Sequence, residues 1–140
     1  MPDDDLQRLG ERVLAAQPFS AFMGAELISF VPGEVEMALP LRPEFTQHHG
    51  VVHGGVISYL ADSAITFAGG SALGPDVLTA EYKINYVKPG QGDRLIVRAT
   101  VLAAGSRQAV CRCDVFALRD GREYLCATAQ GTIMKRAEQG

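Results

Sequence analysis

The sequence predicts an α+β fold in which one long central helix is wrapped by an antiparallel sheet of about five to six strands, with a further helix at the N-terminus. Three observations carry this. Val56 to Ala68 is apolar on nearly every side. Two strand-like segments precede that stretch and four follow it. The later segments are joined by short turns, and an antiparallel sheet packed on one helix satisfies that order.

The central stretch comes first because the rest is arranged around it. At ~3.6 residues per turn, Val56, Leu60, Ala64 and Phe67 share one side, with Ile57, Ala61 and Ala68 beside them. Ser58, Asp62 and Thr66 recur at i, i+4 and i+8 and form one narrow polar stripe. A helix with this pattern is buried on most sides. Asp62 is the only charge between Gly54 and Pro75. A lone carboxylate on such a helix is costly unless partnered, and it marks a functional-site candidate. A carboxylate bonded to backbone amides as a structural anchor is the other role open to it.

The loop before the helix adds chemistry. His53-Gly54-Gly55 leads directly into the apolar run, and Gln47, His48, His49 and Gly50 lie just upstream. Glycine lets a ligand approach the backbone closely. The first turn of a helix presents free N–H groups and a partial positive charge. That suits a carbonyl oxygen gaining negative charge.

The remaining elements follow in order. Leu6, Leu9, Val13 and Leu14 recur at helical spacing within Asp3 to Ala16, and the acidic run Asp3-Asp4-Asp5 suits a helix start. Pro18 ends that helix, and Phe19, Phe22 and Met23 read as a short apolar linker, either core or the lining of a pocket. Ala25 to Phe30 and Glu34 to Leu39 read as strands joined at Pro32-Gly33. Arg42 to Val52 is a loop. Gly69, Gly70 and Gly74-Pro75 break the helical pattern. Val77 to Val87 alternates, with Leu78, Ala80, Tyr82, Ile84 and Tyr86 on one side and Thr79, Glu81, Lys83 and Asn85 on the other. Arg94 to Leu102 is a strand. Gly105-Ser106 turns the chain into Arg107 to Leu118, with Ala109, Cys111, Cys113, Val115 and Ala117 inward. Asp120-Gly121 is a hairpin signal before the last strand, Tyr124 to Met134, and Lys135 to Gly140 is a polar tail.

Composition narrows the function. A chain of 140 residues forms one domain, 1–140, long enough to bury a real core. A net charge of −3 gives no electrostatic reason to expect nucleic acid. No apolar run of ~18 residues lacks a charge or glycine, so no membrane span is expected. The acidic N-terminus lacks a signal peptide's apolar segment. Three cysteines, an odd number, fit reduced thiols in a cytoplasmic protein. No cofactor is expected. His48, His49 and His53 suggest a zinc triad, but no acidic residue or cysteine completes the set nearby, so no metal is expected either.

The run from Gln47 through His53-Gly54-Gly55 to Leu60-Ala61-Asp62-Ser63-Ala64 resembles the signature of hotdog-fold acyl-CoA thioesterases of the phenylacetic-acid-degradation type. Leu78 to Gly90 is similar to that family's next strand, which ends in a Tyr-x-x-Pro turn. The resemblance implies the hotdog fold, acyl-CoA as substrate, and sites at the interface of a homodimer that assembles to a homotetramer. It implies that Asp62 is a general base or a nucleophile, and that the Gly54 and Gly55 amides polarise the thioester carbonyl. Gln47 stands where the family usually has Asn and would orient water or carbonyl. Thr79 falls where relatives carry a small hydroxyl residue that holds the water. His53 would brace the loop and cap the helix. Arg107 and Lys88 offer partners for coenzyme A phosphates.

Spacing alone adds one constraint. Asp62 lies eight residues past Gly54, about 12 Å along the axis. One copy therefore cannot bring both groups to one carbonyl carbon, whereas two copies can if each N-terminus faces the other's Asp62. Two further functions are compatible with the chain: a non-catalytic acyl-CoA-binding module with Asp62 bracing a dimer, and an acyl dehydratase of the same fold using His53 as acid and base.

Overall fold

A computed structural model describes residues 2–137. Helix α1 (Pro2–Ala16) is followed by a short α2 (Pro18–Met23), strands β1 (Glu26–Val31) and β2 (Glu34–Pro40), and the central α3 (Gly54–Leu73). Strands β3 (Val77–Tyr86), β4 (Arg94–Ala104), β5 (Gln108–Arg119) and β6 (Arg122–Lys135) complete the chain. The six strands form one antiparallel sheet in the order β1-β2-β4-β5-β6-β3. The strand that follows α3 in sequence thus lies at one edge, and β1 lies at the other. Asp3's side chain and the last three residues of the polar tail lie outside the described residues.

The helix and the sheet share one core. Leu60, Ala61, Ala64, Ile65 and Ala68 of α3 are fully buried. They face Leu95 and Val97 of β4, Cys111, Cys113 and Val115 of β5, and Ile133 of β6, which are buried to the same degree. Burying each large aliphatic side chain contributes roughly 1.5–3 kcal/mol. Alanines on the helix let it sit close to the sheet, and the Cys113 Sγ reaches 3.8 Å from the Ala61 carbonyl. The inward set expected for β5, from Ala109 to Ala117, is buried as the alternation requires. By length and composition α3 could cross a bilayer, but half of its most apolar window is buried inside the fold. It is the core helix here.

Three elements differ from the sequence reading. Gly69 and Gly70 do not end the helix, which continues to Leu73 and stops at Gly74, whose φ is 100°. Gly69 is there for contact: a Cβ on it would stand 2.6 Å from the Ile133 Cβ. Phe19 to Met23 is helical rather than a linker, and only Met23 of its three large apolar residues is buried, while Phe19 and Phe22 are 58% and 67% exposed. The third difference is in β3. Its pairing with β6 slips between Thr79 and Glu81, so Ala80 is an extra, bulged residue. The bulge changes parity. Val77 and Thr79 before it, and Tyr82 and Ile84 after it, are the half-buried residues, while Leu78 is 59% exposed. Thr79 therefore faces α3 rather than away from the core.

Candidate active site

The bulge has a direct chemical result. Thr79 Oγ1 donates to the Asp62 carboxylate at 2.7 Å. Thr66, one turn further along α3, has its Oγ1 2.9 Å from Thr79 Oγ1, 2.7 Å from the Asp62 backbone carbonyl and 3.5 Å from the same carboxylate oxygen. A half-buried carboxylate is thus oriented by the Thr79 hydroxyl, with the Thr66 hydroxyl beside it. Among the described residues neither a cation nor a backbone amide anchors it. A carboxylate held this way keeps a second oxygen for a water or a substrate atom.

The polar stripe of α3 continues toward its N-terminus against the same strand. The Ser58 and Tyr82 hydroxyls are hydrogen-bonded to each other. The Tyr86 hydroxyl donates to the Gly54 carbonyl at 3.0 Å. Ser58, Asp62 and Thr66 are visible as a stripe in the sequence, but Tyr82 and Tyr86 as their partners are not, because their side depends on the bulge.

At the helix start the two glycines differ. His53 is the N-cap, and its Nδ1 accepts from the Gly55 N–H at 2.8 Å. The His53 carbonyl accepts from Val56 N–H at 2.9 Å and more weakly from Ile57. Among the described residues no acceptor lies on the Gly54 N–H. Of the expected pair of carbonyl donors, Gly55 is thus committed to the cap and Gly54 is available. Gln47 is partly committed: its N–H donates to Val51, its carbonyl accepts from Gly50 at 2.9 Å, and its side-chain Oε1 accepts from the His49 N–H, while its Nε2 has no partner among the described residues. It shapes the turn that delivers His53 to the helix.

The structure gathers the expected residues into two groups. Asp62 and Thr79 touch; Gln47, His53, Gly54 and Gly55 lie together at the other end, about 12 Å away along the helix. Arg107 belongs to neither. It sits exposed in the β4–β5 turn, with its carbonyl bonded to Lys135 N–H at 2.9 Å. Lys88 is exposed beyond the end of β3, beside the surface hollow around Gly54. His48 and His49 stack with ring centroids 4.0 Å apart. Among the described residues no three His, Cys, Asp or Glu side chains are grouped to hold a metal ion. The three thiols are free and buried. Desolvation pushes Cys113 up to about 12 and Cys111 and Cys126 up to about 11, so they are poor nucleophiles and poor ligands.

Comparisons with known proteins bear on the family and the fold. The thioesterase superfamily profile matches residues 49–124. A thioesterase family protein from Silicibacter pomeroyi superposes with a TM-score of 0.88 at 35% identity, over 92% of this chain and 96% of that one. A mutant of the phenylacetic acid degradation protein PaaI from Thermus thermophilus superposes with a TM-score of 0.74 at 30% identity, over 86% of this chain and all of the other. The medium/long-chain acyl-CoA thioesterase YigI of Escherichia coli is 25% identical over 146 residues, 92% of each chain. The matched span runs from the loop before α3 to the start of β6 and so contains both Asp62 with Thr79 and the His53-Gly54-Gly55 turn. With its single helix enclosed by an antiparallel sheet in the hotdog arrangement, the chain belongs to the thioesterase superfamily.

Proposed function

We propose that this protein is an acyl-CoA thioesterase that hydrolyses a thioester to a free acid and coenzyme A. The observation that carries the reading is the Asp62 carboxylate, alone on an apolar helix and oriented by Thr79 at 2.7 Å. Asp62 takes a proton from water as the water oxygen attacks the thioester carbonyl carbon. The carbonyl oxygen becomes an oxyanion, and the Gly54 N–H at a helix N-terminus stabilises it. The intermediate collapses, the C–S bond breaks, and the departing thiolate takes up the proton. The same geometry serves direct attack by Asp62 to give a mixed anhydride that water then opens.

The site is composite in this reading. Asp62 of one copy and Gly54 of a partner act on one carbonyl, since the two lie about 12 Å apart within a chain. A homodimer is the minimal unit, assembling to a homotetramer. The edge position of β3 and the exposed Leu78, Tyr86 and Val87 support pairing there. The chain acts as one domain, 1–140, in the cytoplasm, without metal or cofactor. His53 braces the helix start, Gln47 shapes its approach, and Lys88 or Arg107 meets the coenzyme A phosphates.

The test is hydrolysis of a panel of acyl-CoA esters, followed with a thiol reagent, by the parent and by Asp62→Asn. The near-isosteric amide keeps a hydrogen-bonding group but cannot act as an anion. Turnover should fall about 10²–10⁴-fold while acyl-CoA still binds. A folded mutant with parental turnover overturns the assignment of Asp62. A parent that binds the esters and hydrolyses none points to a binding module. Light scattering that finds only a 15.0 kDa species rules out the composite site.

A further inference from the structure

A cleft of about 250 Å³ separates α1 from the C-terminal half of α3. Leu6, Leu9 and Val13 line it from α1, Phe67 and Gly70 from α3, and Phe30 from β1. Phe30 and Phe67 meet edge to face, with centroids 5.5 Å apart. The cleft also reaches Thr66 and Val77. Thr66 is bonded to Thr79 and lies 3.5 Å from the Asp62 carboxylate, and Val77 precedes Thr79 by two residues on the same side of β3. The apolar space therefore shares Thr66 as a wall with the Asp62 cluster. Most of its polar lining is bonded elsewhere. Ser71 Oγ donates to the Ala68 carbonyl and accepts from the Gly33 N–H, and Gln17 accepts from Ser20.

We infer that this cleft receives the acyl chain of the thioester, and that the preferred chain is straight and about eight carbons long. The inference rests on the thioesterase reading above. A cavity of about 150 Å³ holds the six carbons of a benzene ring, so 250 Å³ has room for roughly eight to ten carbons. The shape favours a chain over a ring. Leu6 to Val13 spans seven helical residues, about 10 Å of continuous wall. Butyryl would leave the far half of the cleft unfilled, and hexadecanoyl would overrun it.

Gly70 supplies the test. It is half-buried in mid-helix, and a Cβ there would meet only the Val77 Cγ2, at an ordinary 3.7 Å. Gly70→Leu thus adds bulk to the cleft without a backbone collision. Leu9→Trp fills it independently from the α1 side. The measurement is kcat/KM on butyryl-, octanoyl-, hexadecanoyl- and phenylacetyl-CoA, with melting temperatures for every variant. For the parent, octanoyl-CoA should exceed each of the other three, and butyryl-CoA by at least tenfold, since each buried methylene is worth roughly fourfold in affinity. In both variants the octanoyl-to-butyryl ratio should fall at least tenfold. Folded variants with the parental ratio overturn the placement of the chain in this cleft. A parent that prefers phenylacetyl- or hexadecanoyl-CoA overturns the predicted chain. A parent that hydrolyses none of the four overturns the thioesterase reading instead. Calorimetric titration of octanoyl-CoA then decides the cleft by itself: weakened binding in the variants supports it, and parental affinity overturns it.

Discussion

The first turn of α3 works through its backbone, and the third works through a side chain. At the first turn the residues are glycines, the surface is open, and His53 has taken up the Gly55 N–H and left the Gly54 N–H unaccepted among the described residues. At the third turn the backbone is fully engaged in the helix, and Asp62 projects a carboxylate that Thr79 holds in place. An electrophile's oxygen suits the first environment, and water activation suits the second. Under the proposed mechanism these two environments are half-sites on one rigid rod, and a twofold pairing would bring them into register.

The largest expected effect breaks that pairing and then restores it. Gly54→Val crowds the free amide and Asp62→Asn removes the base, so each homo-oligomer should lose about 10²-fold or more in turnover. Unfolding and refolding the two variants together in equal amounts should recover roughly a quarter of parental activity, because mixed dimers hold one intact site. Mixtures no more active than the separate variants would show that both half-sites act within one chain.

A smaller effect isolates the third turn. Thr79→Val removes a hydrogen bond to a carboxylate, and kcat should fall about tenfold, equivalent to ~1.4 kcal/mol, with KM unchanged. A rise in KM at constant kcat would instead make Thr79 a substrate contact.

The bulge that places Thr79 is not legible in the sequence. Strict alternation from Val77 to Val87 puts Thr79 on the wrong side, and only the slipped pairing with β6 corrects it. Gly69 and Gly70 mislead for a related reason. Glycine reads as a breaker locally, yet here it answers to the packing of β6 across the helix. What depends on short-range chemistry is readable: the cap at His53, the buried stripe and its lone acid, and the inward set of β5. The C-terminal end of the central helix and the helical form of Pro18–Met23 depend on tertiary contacts and are not.

At the first turn, His53→Ala should cost about 1 kcal/mol through loss of the cap, lowering the melting temperature by about 4 °C. It should also free the Gly55 N–H, so turnover should fall less than stability would suggest. Loss of turnover beyond tenfold at full folding would give the ring a chemical part.

The smallest effect concerns the core shared by both half-sites. The cysteine thiols ionise near 9.0 when solvated and near 11 to 12 in the folded core. Above the unfolded value the unfolded chain releases these protons while the native chain keeps them. Stability is therefore complete below about pH 9 and declines as pH rises toward 11 and beyond. Melting temperatures measured across pH 8 to 11 should fall in the parent and fall less in a Cys113→Ala variant. Native thiols should resist alkylation until the protein unfolds.

Gly69 fixes how deep α3 can sit, because its missing side chain is what admits Ile133 at van der Waals range. It works as a depth stop for the whole helix. Asp62 lies seven residues up the same rod, about 10 Å away, and its bond to Thr79 at 2.7 Å tolerates little displacement. An alanine at position 69 would lift the helix from the sheet and swing the carboxylate off its hydroxyl. A residue with no side chain, packed against β6, thereby sets the aim of an acid two turns away on the same face, where it meets the neighbouring β3.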